Sequence, residues 1–400
     1  MSNKTTLRVA IVGGGLGGLV TALFLRKVGV DVTVYERVDD LREVGAGIVV
    51  PPNMVRPLEV LGLADTLSTF AVKLEAAWEF RRWEDGTVLF SQPMGEACKR
   101  LYGTDCYVAH RGDLMSMYKR ALPEGIVRLD HQCIAVNELE NEVELTFVAR
   151  AGEQTRVTSD VVIGADGIHS VIRAAVTTPT EAQFSGSCAF RCLVPAEKAP
   201  VMALHPVQTL WLGPSRHFVH YPISGGRLVN VVAIVPAGDW RTESWTADGK
   251  ISDLFNEFES WDSRVHQLIH SATETKRWAL YDRQPLDRWC KGRIALLGDA
   301  AHAMLPYFAQ GAAQATEDGV VLSACLENAT YESVPDALQR YEKIRQPRAN
   351  QIQLMSRGRE VRNHLSDGPE QQQRDREFAE GDLLSKNGWL YGHELGSFGI

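Results

Sequence analysis

The sequence predicts an α/β chain in which a parallel sheet is interrupted twice by antiparallel β segments and followed by a helical C-terminus. Three observations lead there. The β-branched apolar run Leu7–Val12 passes through glycines into Leu19–Val28, apolar at helical spacing, and on into a second strand-like run, Val30–Tyr35. This is a βαβ unit. Strand-like runs separated by turn residues recur at Ala76–Phe90 and from Ser187 to Pro236, and helical patterns dominate beyond Gly311.

Size and charge bound the rest. At 400 residues the chain exceeds what one hydrophobic core usually supports, so two domains are expected. Its 44% hydrophobic and 23% charged residues are ordinary for a globular protein. A net charge of −8, with basic residues scattered, argues against a nucleic-acid partner. A small anionic substrate stays compatible, because a local Arg or His decides that. The seven cysteines contain no Cys-x-x-Cys pair; Cys188 and Cys192 are four apart, and buried free thiols are expected. The first apolar stretch is short and runs straight into glycines, unlike a signal peptide, and no stretch is long enough to span a bilayer. A cytoplasmic protein without a membrane partner is the expectation.

Element by element, Trp78-Glu79-Phe80 and Thr87–Phe90 flank Glu84-Asp85-Gly86, and Asp-Gly between such runs signals a hairpin. Cys188–Val194, Thr209–Leu212, His217–Pro222 and Arg227–Val235 read as successive antiparallel strands, with Gly225-Gly226 turning the last two. Helical patterns return after Ser252, and Ile294–Leu297 reads as a buried strand entering Gly298-Asp299. No internal repeat is present. The expected division is a discontinuous nucleotide-binding domain (1–72, 99–180, 276–345), a substrate domain (73–98, 181–275) and a helical region (346–400).

Gly13, Gly15 and Gly18 fit G-x-G-x-x-G just ahead of Leu19–Val28, with Leu16 inside the turn. The first glycine makes the tight turn, the second admits a pyrophosphate, and the third packs helix on strand. Glu36, followed by Arg37, ends the second strand, where a carboxylate accepts ribose hydroxyls. Together they point to a Rossmann-like dinucleotide site rather than a structural turn. Two further stretches bear on which dinucleotide. Val161–Ser170 contains Asp166-Gly167, with Arg173 just beyond; residues 298–318 run from Gly298-Asp299 through Pro306 to Gly311. There a strand ends on an aspartate suited to a hydroxylated chain such as ribitol. A turn then leads to a helix N-terminus, which favours negative charge at a flavin carbonyl edge. A Gly-Asp turn capping a helix accounts for Asp299 alone but not for the series.

With these motifs the chain resembles the single-component (class A) flavoprotein aromatic hydroxylases, the family of p-hydroxybenzoate hydroxylase. The closer likeness is to its salicylate hydroxylase, 3-hydroxybenzoate 6-hydroxylase and 6-hydroxynicotinate 3-monooxygenase members. The likeness also runs through Glu43-Val44-Gly45-Ala46-Gly47-Ile48, Pro52-Asn53 and His110-Arg111-Gly112-Asp113-Leu114. It implies a GR2-type FAD domain with an inserted antiparallel substrate sheet, and NADH or NADPH docking transiently. It implies that Glu36 binds the adenosine ribose and that Arg111 lies near the pyrophosphate and ribityl chain. Asp299 would bind the ribityl chain, and Gly311 and Ala312 would offer N–H groups near the flavin O2. Asp166 would serve both FAD and NAD(P)H. Two departures stand out. The family often has Gly-Gln-Gly where this chain has Ala309-Gln310-Gly311, and alanine lacks glycine's freedom at positive φ. The 6-hydroxynicotinate enzymes carry histidine where Val49 stands here. A second G-x-G-x-x-G, a Tyr-x-x-x-Lys pair and Trp-x-Trp-x-Ile do not occur, against disulfide-reductase, short-chain dehydrogenase and halogenase readings.

The implied reaction inserts one oxygen atom of O2 into an electron-rich ring of a small phenolic or hydroxy-heteroaromatic acid, with or without decarboxylation. A phenol of pKa ~10 is a weak nucleophile until a base removes its proton, which suits a histidine. Strand alternation puts His217, Val219 and Tyr221 on one face, with Phe218 and His220 on the other. Related hydroxylases carry histidine at the position of His217 and often an aromatic residue near Tyr221; these two are the catalytic candidates. His220 is expected to pack. His302 is open between an active-site and a structural role, and Arg191 between a substrate carboxylate and an ordinary salt bridge. A flavin oxidase or dehydrogenase, or a non-catalytic flavin module, are the alternative readings. A monomer or homodimer is expected.

Overall fold

The computed structural model describes residues 6–41, 46–178, 180–244 and 247–395. Glu43, Val44 and Gly45, part of the motif ending in Gly47-Ile48, lie outside the described residues. The first core is a six-stranded sheet ordered Cys290–Lys291, Ile294–Leu296, Val161–Gly164, Arg8–Val12, Asp31–Tyr35, Val127–Arg128. All neighbours are parallel except the first pair. Val9–Val12 is buried throughout, as a central parallel strand covered on both sides requires. Helices Leu16–Lys27 and Gly311–Leu326 pack on each other so closely that a Cβ on Gly319 would lie 2.7 Å from Thr21 Oγ1, and one on Gly17 3.1 Å from Ala315 Cβ. Their N-termini therefore open at the same end of the sheet.

The second core is an eight-stranded sheet ordered Asp248–Gly249, Thr275–Asp282, Gln183–Pro195, Leu228–Pro236, Arg216–Ile223, Val207–Gly213, Ala76–Arg82, Val88–Pro93. It is antiparallel apart from the pairing of Val207–Gly213 with Ala76–Arg82. The hairpin at Gly86 and the turn at Gly225-Gly226 form as the sequence predicts, with positive φ at all three glycines. One face buries Phe190, Trp211, Phe218 and Val231 with Phe258 and Leu268 beside helices Ile251–Glu257 and Ser263–His270. The other turns toward the parallel sheet. Thr275–Asp282 belongs to this sheet, whereas the sequence division places residues from 276 onward with the nucleotide unit.

One helix, Val334–Asn363, joins the two cores and runs unbroken past position 346. Its first half buries Ala337, Leu338 and Tyr341 in the nucleotide core. Farther along, Gln353 Nε2 donates to Ala303 O at 2.8 Å and Ser356 Oγ to Leu305 O at 2.5 Å. Among the described residues no helix is long and apolar enough to cross a membrane.

Candidate active site

The nucleotide end forms where strands Arg8–Val12 and Asp31–Tyr35 end, the usual ligand crevice of such sheets. Gly13 has φ +110, and a Cβ on it would lie 2.3 Å from Ala165 O; one on Gly18 would lie 2.0 Å from Gly13 O. Only glycine fits either position. Gly15 differs: a Cβ there would meet nothing within 4 Å. Open space thus lies over the first turn of helix Leu16–Lys27, where N–H groups lack helical partners. Glu36 accepts the N–H of Gly14 at 2.7 Å and of Val38 at 3.0 Å, which holds its carboxylate against the glycine turn. Arg37 stands exposed beside it.

Asp166 leaves the neighbouring strand. Its Oδ2 accepts Val171 N–H at 2.7 Å, while Oδ1 is buried with no partner among the described residues. Burial pushes its pKa up. Arg173 ties this turn to the next motif, donating to Gly167 O, Ile168 O, Asp299 O and Ala300 O. Asp299 opens the short helix Asp299–His302 and is exposed within the cleft. The protein around it raises its pKa, opposed by His302, Arg111 and Arg173, which places all three within electrostatic reach. Arg111 begins helix Arg111–Ala121, with its N–H bonded to Ala46 O at 2.9 Å.

Past Asp299, Pro306–Phe308 makes a single 3-10 turn, and Ala309 follows at φ 51°, ψ 39°. The alanine takes the left-handed conformation itself, at a cost of roughly 1–2 kcal/mol relative to an unstrained residue. Helix Gly311–Leu326 starts next, and a Cβ on Gly311 would again meet nothing within 4 Å. The N–H groups of Gly311 and Ala312 lie in its first turn and face that space without intrahelical partners. Beneath, Asn53 Nδ2 donates to Gln310 Oε1 at 3.0 Å and Glu317 Oε1 at 2.8 Å. Arg345 donates to Glu317 at 2.6 Å and Asp318 at 2.8 Å. His302 Nε2 lies 2.6 Å from Asp318 Oδ2. Although burial opposes it, His302 and Arg345 hold Asp318 down at about 2. His302 thus takes the structural of its two roles, through a carboxylate.

On the substrate sheet, His217 and Tyr221 share the face turned to this turn, and Phe218 and His220 the face turned to the helices. His217 is 3% exposed. Its Nδ1 lies 2.7 Å from Nε2 of His364 and its ring centroid 5.6 Å from that of Tyr307. Burial, reinforced by His364, holds its pKa well below the ordinary histidine value, so it is neutral at neutral pH. Tyr221 is pushed up by burial, against the pull of Arg191, and keeps its proton. A Cβ on Gly47 would lie 2.7 Å from Tyr221 Cε2 and 2.5 Å from Asn230 Cγ, and Gly47 N–H donates to Asn230 Oδ1 at 2.7 Å. Gly47 is glycine because two sheets meet there. Arg191 lies over the Trp278 ring at 3.4 Å. His220, buried with both ring nitrogens unpartnered among the described residues, is a packing residue.

The candidates from the sequence thus converge on one cleft between the two sheets, with open space over two helix N-termini and an orphaned carboxylate oxygen at its edge. That arrangement fits an FAD molecule. Sequence reasoning missed Asn230, His364 and the carboxylate–arginine cluster. Asn230 left a signal, a lone amide in the apolar run Leu228–Val235. His364 left none.

Residues 6–356 match the family model described as "FAD binding domain". The chain is 39% identical over 392 residues to a 3-amino-4-hydroxybenzoate 2-monooxygenase of Streptomyces platensis, covering 98% of this chain and 97% of that one. It is 32% identical over 351 residues to a 6-hydroxynicotinate 3-monooxygenase of Pseudomonas fluorescens (87% and 90% covered). Among solved structures it matches HpxO of Klebsiella pneumoniae complexed with FAD and uric acid, at TM-score 0.86 and 26% identity over 98% of each chain. A salicylate hydroxylase substrate complex matches at TM-score 0.82 and 28% identity, covering 99% and 98%. The chain belongs to the FAD-binding-domain family and, within it, to the FAD-dependent aromatic monooxygenases.

Proposed function

We propose that this monooxygenase hydroxylates a phenolic or aminophenolic aromatic acid, with NADH or NADPH and O2 as co-substrates. The observation that carries the reading is His217: buried, neutral, and fixed through His364 beside the flavin-side turn. Gly13, Gly15, Leu16, Gly18, Glu36, Arg37 and Asp166 would hold the adenosine and pyrophosphate portion of FAD. Gly47, Arg111, Asp299, Pro306, Gly311 and Ala312 would hold the ribityl chain and ring. When bound, FAD accepts reducing equivalents from NAD(P)H and delivers one oxygen atom of O2 to the substrate.

The chain's own residues supply the rest. In the tautomer in which His217 Nδ1–H donates to His364, the Nε2 lone pair is free to accept the substrate's hydroxyl proton, which enriches the ring in electrons. Tyr221 keeps its proton and acts as a donor that orients the ring. Ile234, Trp278 and Leu305 form an apolar wall that excludes water. Val49, packed in the same cluster as Tyr221, removes the histidine of the 6-hydroxynicotinate enzymes and favours a benzoate ring like that named for the Streptomyces relative. Seven free, buried cysteines support a reducing, cytoplasmic setting. We read the chain as a monomer or homodimer, which light scattering tests.

The test is FAD-loaded protein mixed with NADH or NADPH and a panel of hydroxy- and aminohydroxybenzoates under labelled O2. Stimulated cofactor oxidation with one labelled oxygen atom in the product is expected, and the product mass shows whether CO2 is lost. Hydrogen peroxide as the sole oxygen product with every acid would sink the reading.

A further inference from the structure

The ring-to-ring contact between His217 and His364 has an open nitrogen at each end. His217 Nδ1 lies 2.7 Å from His364 Nε2. His217 is a buried residue, yet its Nε2 is not sealed in, and it makes no hydrogen bond among the described residues. The ring lies on the strand face turned to Tyr307 of the flavin-side turn. His364 is half-buried, and its Nδ1 is likewise neither sealed in nor bonded among the described residues. Two other buried histidines differ: Nδ1 of His302 and both nitrogens of His220 are shut away from water without a partner.

Backbone bonds fix the pair. His364 N–H donates to Glu360 O at 3.1 Å, and its O accepts the N–H of Ser215, two residues before His217, at 3.0 Å. The charged groups around His364 are engaged elsewhere. Arg216 donates to Glu257 at 2.7 Å, while Glu360 accepts from Tyr307 Oη at 2.6 Å and Ser187 Oγ at 2.7 Å. Tyr307 itself stands edge-on to the His364 ring at 5.9 Å. Partial burial, then the charge of Arg216, lowers the His364 pKa to about 4. His217 is held low as well, so both rings are neutral at neutral pH.

We propose that His364 relays the substrate's hydroxyl proton from His217 to solvent. This deepens the function proposed above and rests on it. The hydroxyl proton passes to His217 Nε2 as the Nδ1 proton of His217 passes to His364 Nε2, and the Nδ1 proton of His364 to water. One O–H and two N–H bonds break, and two N–H bonds and one O–H bond form. Both rings end neutral with their tautomers exchanged, and no electrons are transferred. The reverse shift returns a proton to the product oxygen and resets the pair. His364 touches no substrate: it is a relay acting through His217.

The test follows proton release with a pH indicator in weak buffer as FAD-loaded protein is mixed with 3-amino-4-hydroxybenzoate. The 4-methoxy analogue, which has no hydroxyl proton, is the blank. Wild type is expected to release a proton with the acid and none with the blank. His364→Gln still offers an acceptor to His217 Nδ1–H but cannot hand a proton on, so release should slow about 100-fold or more. Imidazole added to His364→Ala should restore the rate. A wild-type rate in His364→Gln reduces His364 to orienting His217 and overturns the proposal, as does slow release that imidazole fails to restore. Absence of release in a wild type that hydroxylates the acid overturns it too, while the hydroxylase reading stands. If neither variant holds FAD, the wild-type release rate in H2O–D2O mixtures decides. A curved dependence on the D2O fraction is expected from several protons in transit, and a straight line, meaning one proton, overturns the relay. A wild type with neither proton release nor acid-stimulated NADH consumption removes the hydroxylase reading itself, and this proposal with it.

Discussion

Two arginines on one helix, about four turns apart, differ in their surroundings: Arg345 is buried and Arg359 half-buried. Arg345 is surrounded: Glu317, Asp318 and Gln314 accept from its guanidinium, and Asn53, Arg348 and His302 saturate those acceptors in turn. Arg359 lies near two phenyl rings, with no side-chain or backbone acceptor among the described residues. The first arrangement uses its polar groups to hold the flavin-side turn in place; the second leaves its guanidinium nitrogens within reach of solvent. Fully buried charge is saturated by the protein around it, whereas half-buried charge is left within reach of water.

The strongest test of the contrast is Arg345→Met. It removes the one cation that Glu317 and Asp318 share, leaving them Arg348 and His302, and a loss of about 3–5 kcal/mol in urea unfolding is expected; a loss below about 1 kcal/mol would show that the cluster is not the scaffold described. His217→Ala should lower kcat by about 10²- to 10⁴-fold with FAD content unchanged. Because the lowered pKa keeps His217 unprotonated well below 6.5, the acid limb of wild-type kcat should fall under the ordinary histidine value. A limb at pH 7 or above contradicts the assignment.

A smaller effect belongs to the nucleotide end. Glu36→Ala removes a carboxylate poised for ribose and should weaken FAD retention about 10- to 100-fold, measured by equilibrium dialysis. Next is His220, on the far face of the His217 strand, whose pKa burial lowers to about 3. Below pH 6.5 the unfolded chain takes up a proton that the folded one refuses, so stability falls as pH falls, by up to about 1.4 kcal/mol per pH unit from this group until about 3. His220→Leu should flatten that slope; an unchanged slope assigns it to other groups. The smallest is Ala309→Gly, which relieves the left-handed alanine but adds chain entropy, for a net gain of no more than about 1 kcal/mol in thermal unfolding.

The nucleotide half was legible because its chemistry is local. Gly13, Gly18 and Glu36 lie within one βαβ unit, where backbone sterics dictate residue type at fixed spacing, and the structure shows the clash that excludes any side chain at both glycines. His217 and Tyr221 were legible as a pair because strand alternation is local too. Ala309 shows the limit of a local reading. Alanine does not prefer positive φ, yet the surrounding turn holds it there.

The sequence by itself determined the α/β order, the glycine turn and the facing of His217, since each depends on neighbours a few residues away. Only the tertiary structure decided what those groups meet. His364 and Arg359 come from a helix more than a hundred residues downstream of His217 in the chain, and no periodicity marks them. Their surroundings depend on contacts across that distance: one ring nitrogen 2.7 Å from another, and a guanidinium 5.5 Å from the ring of Phe308. Burial and partnership are properties of the packed molecule, and they separate the scaffold arginine from the one left to solvent.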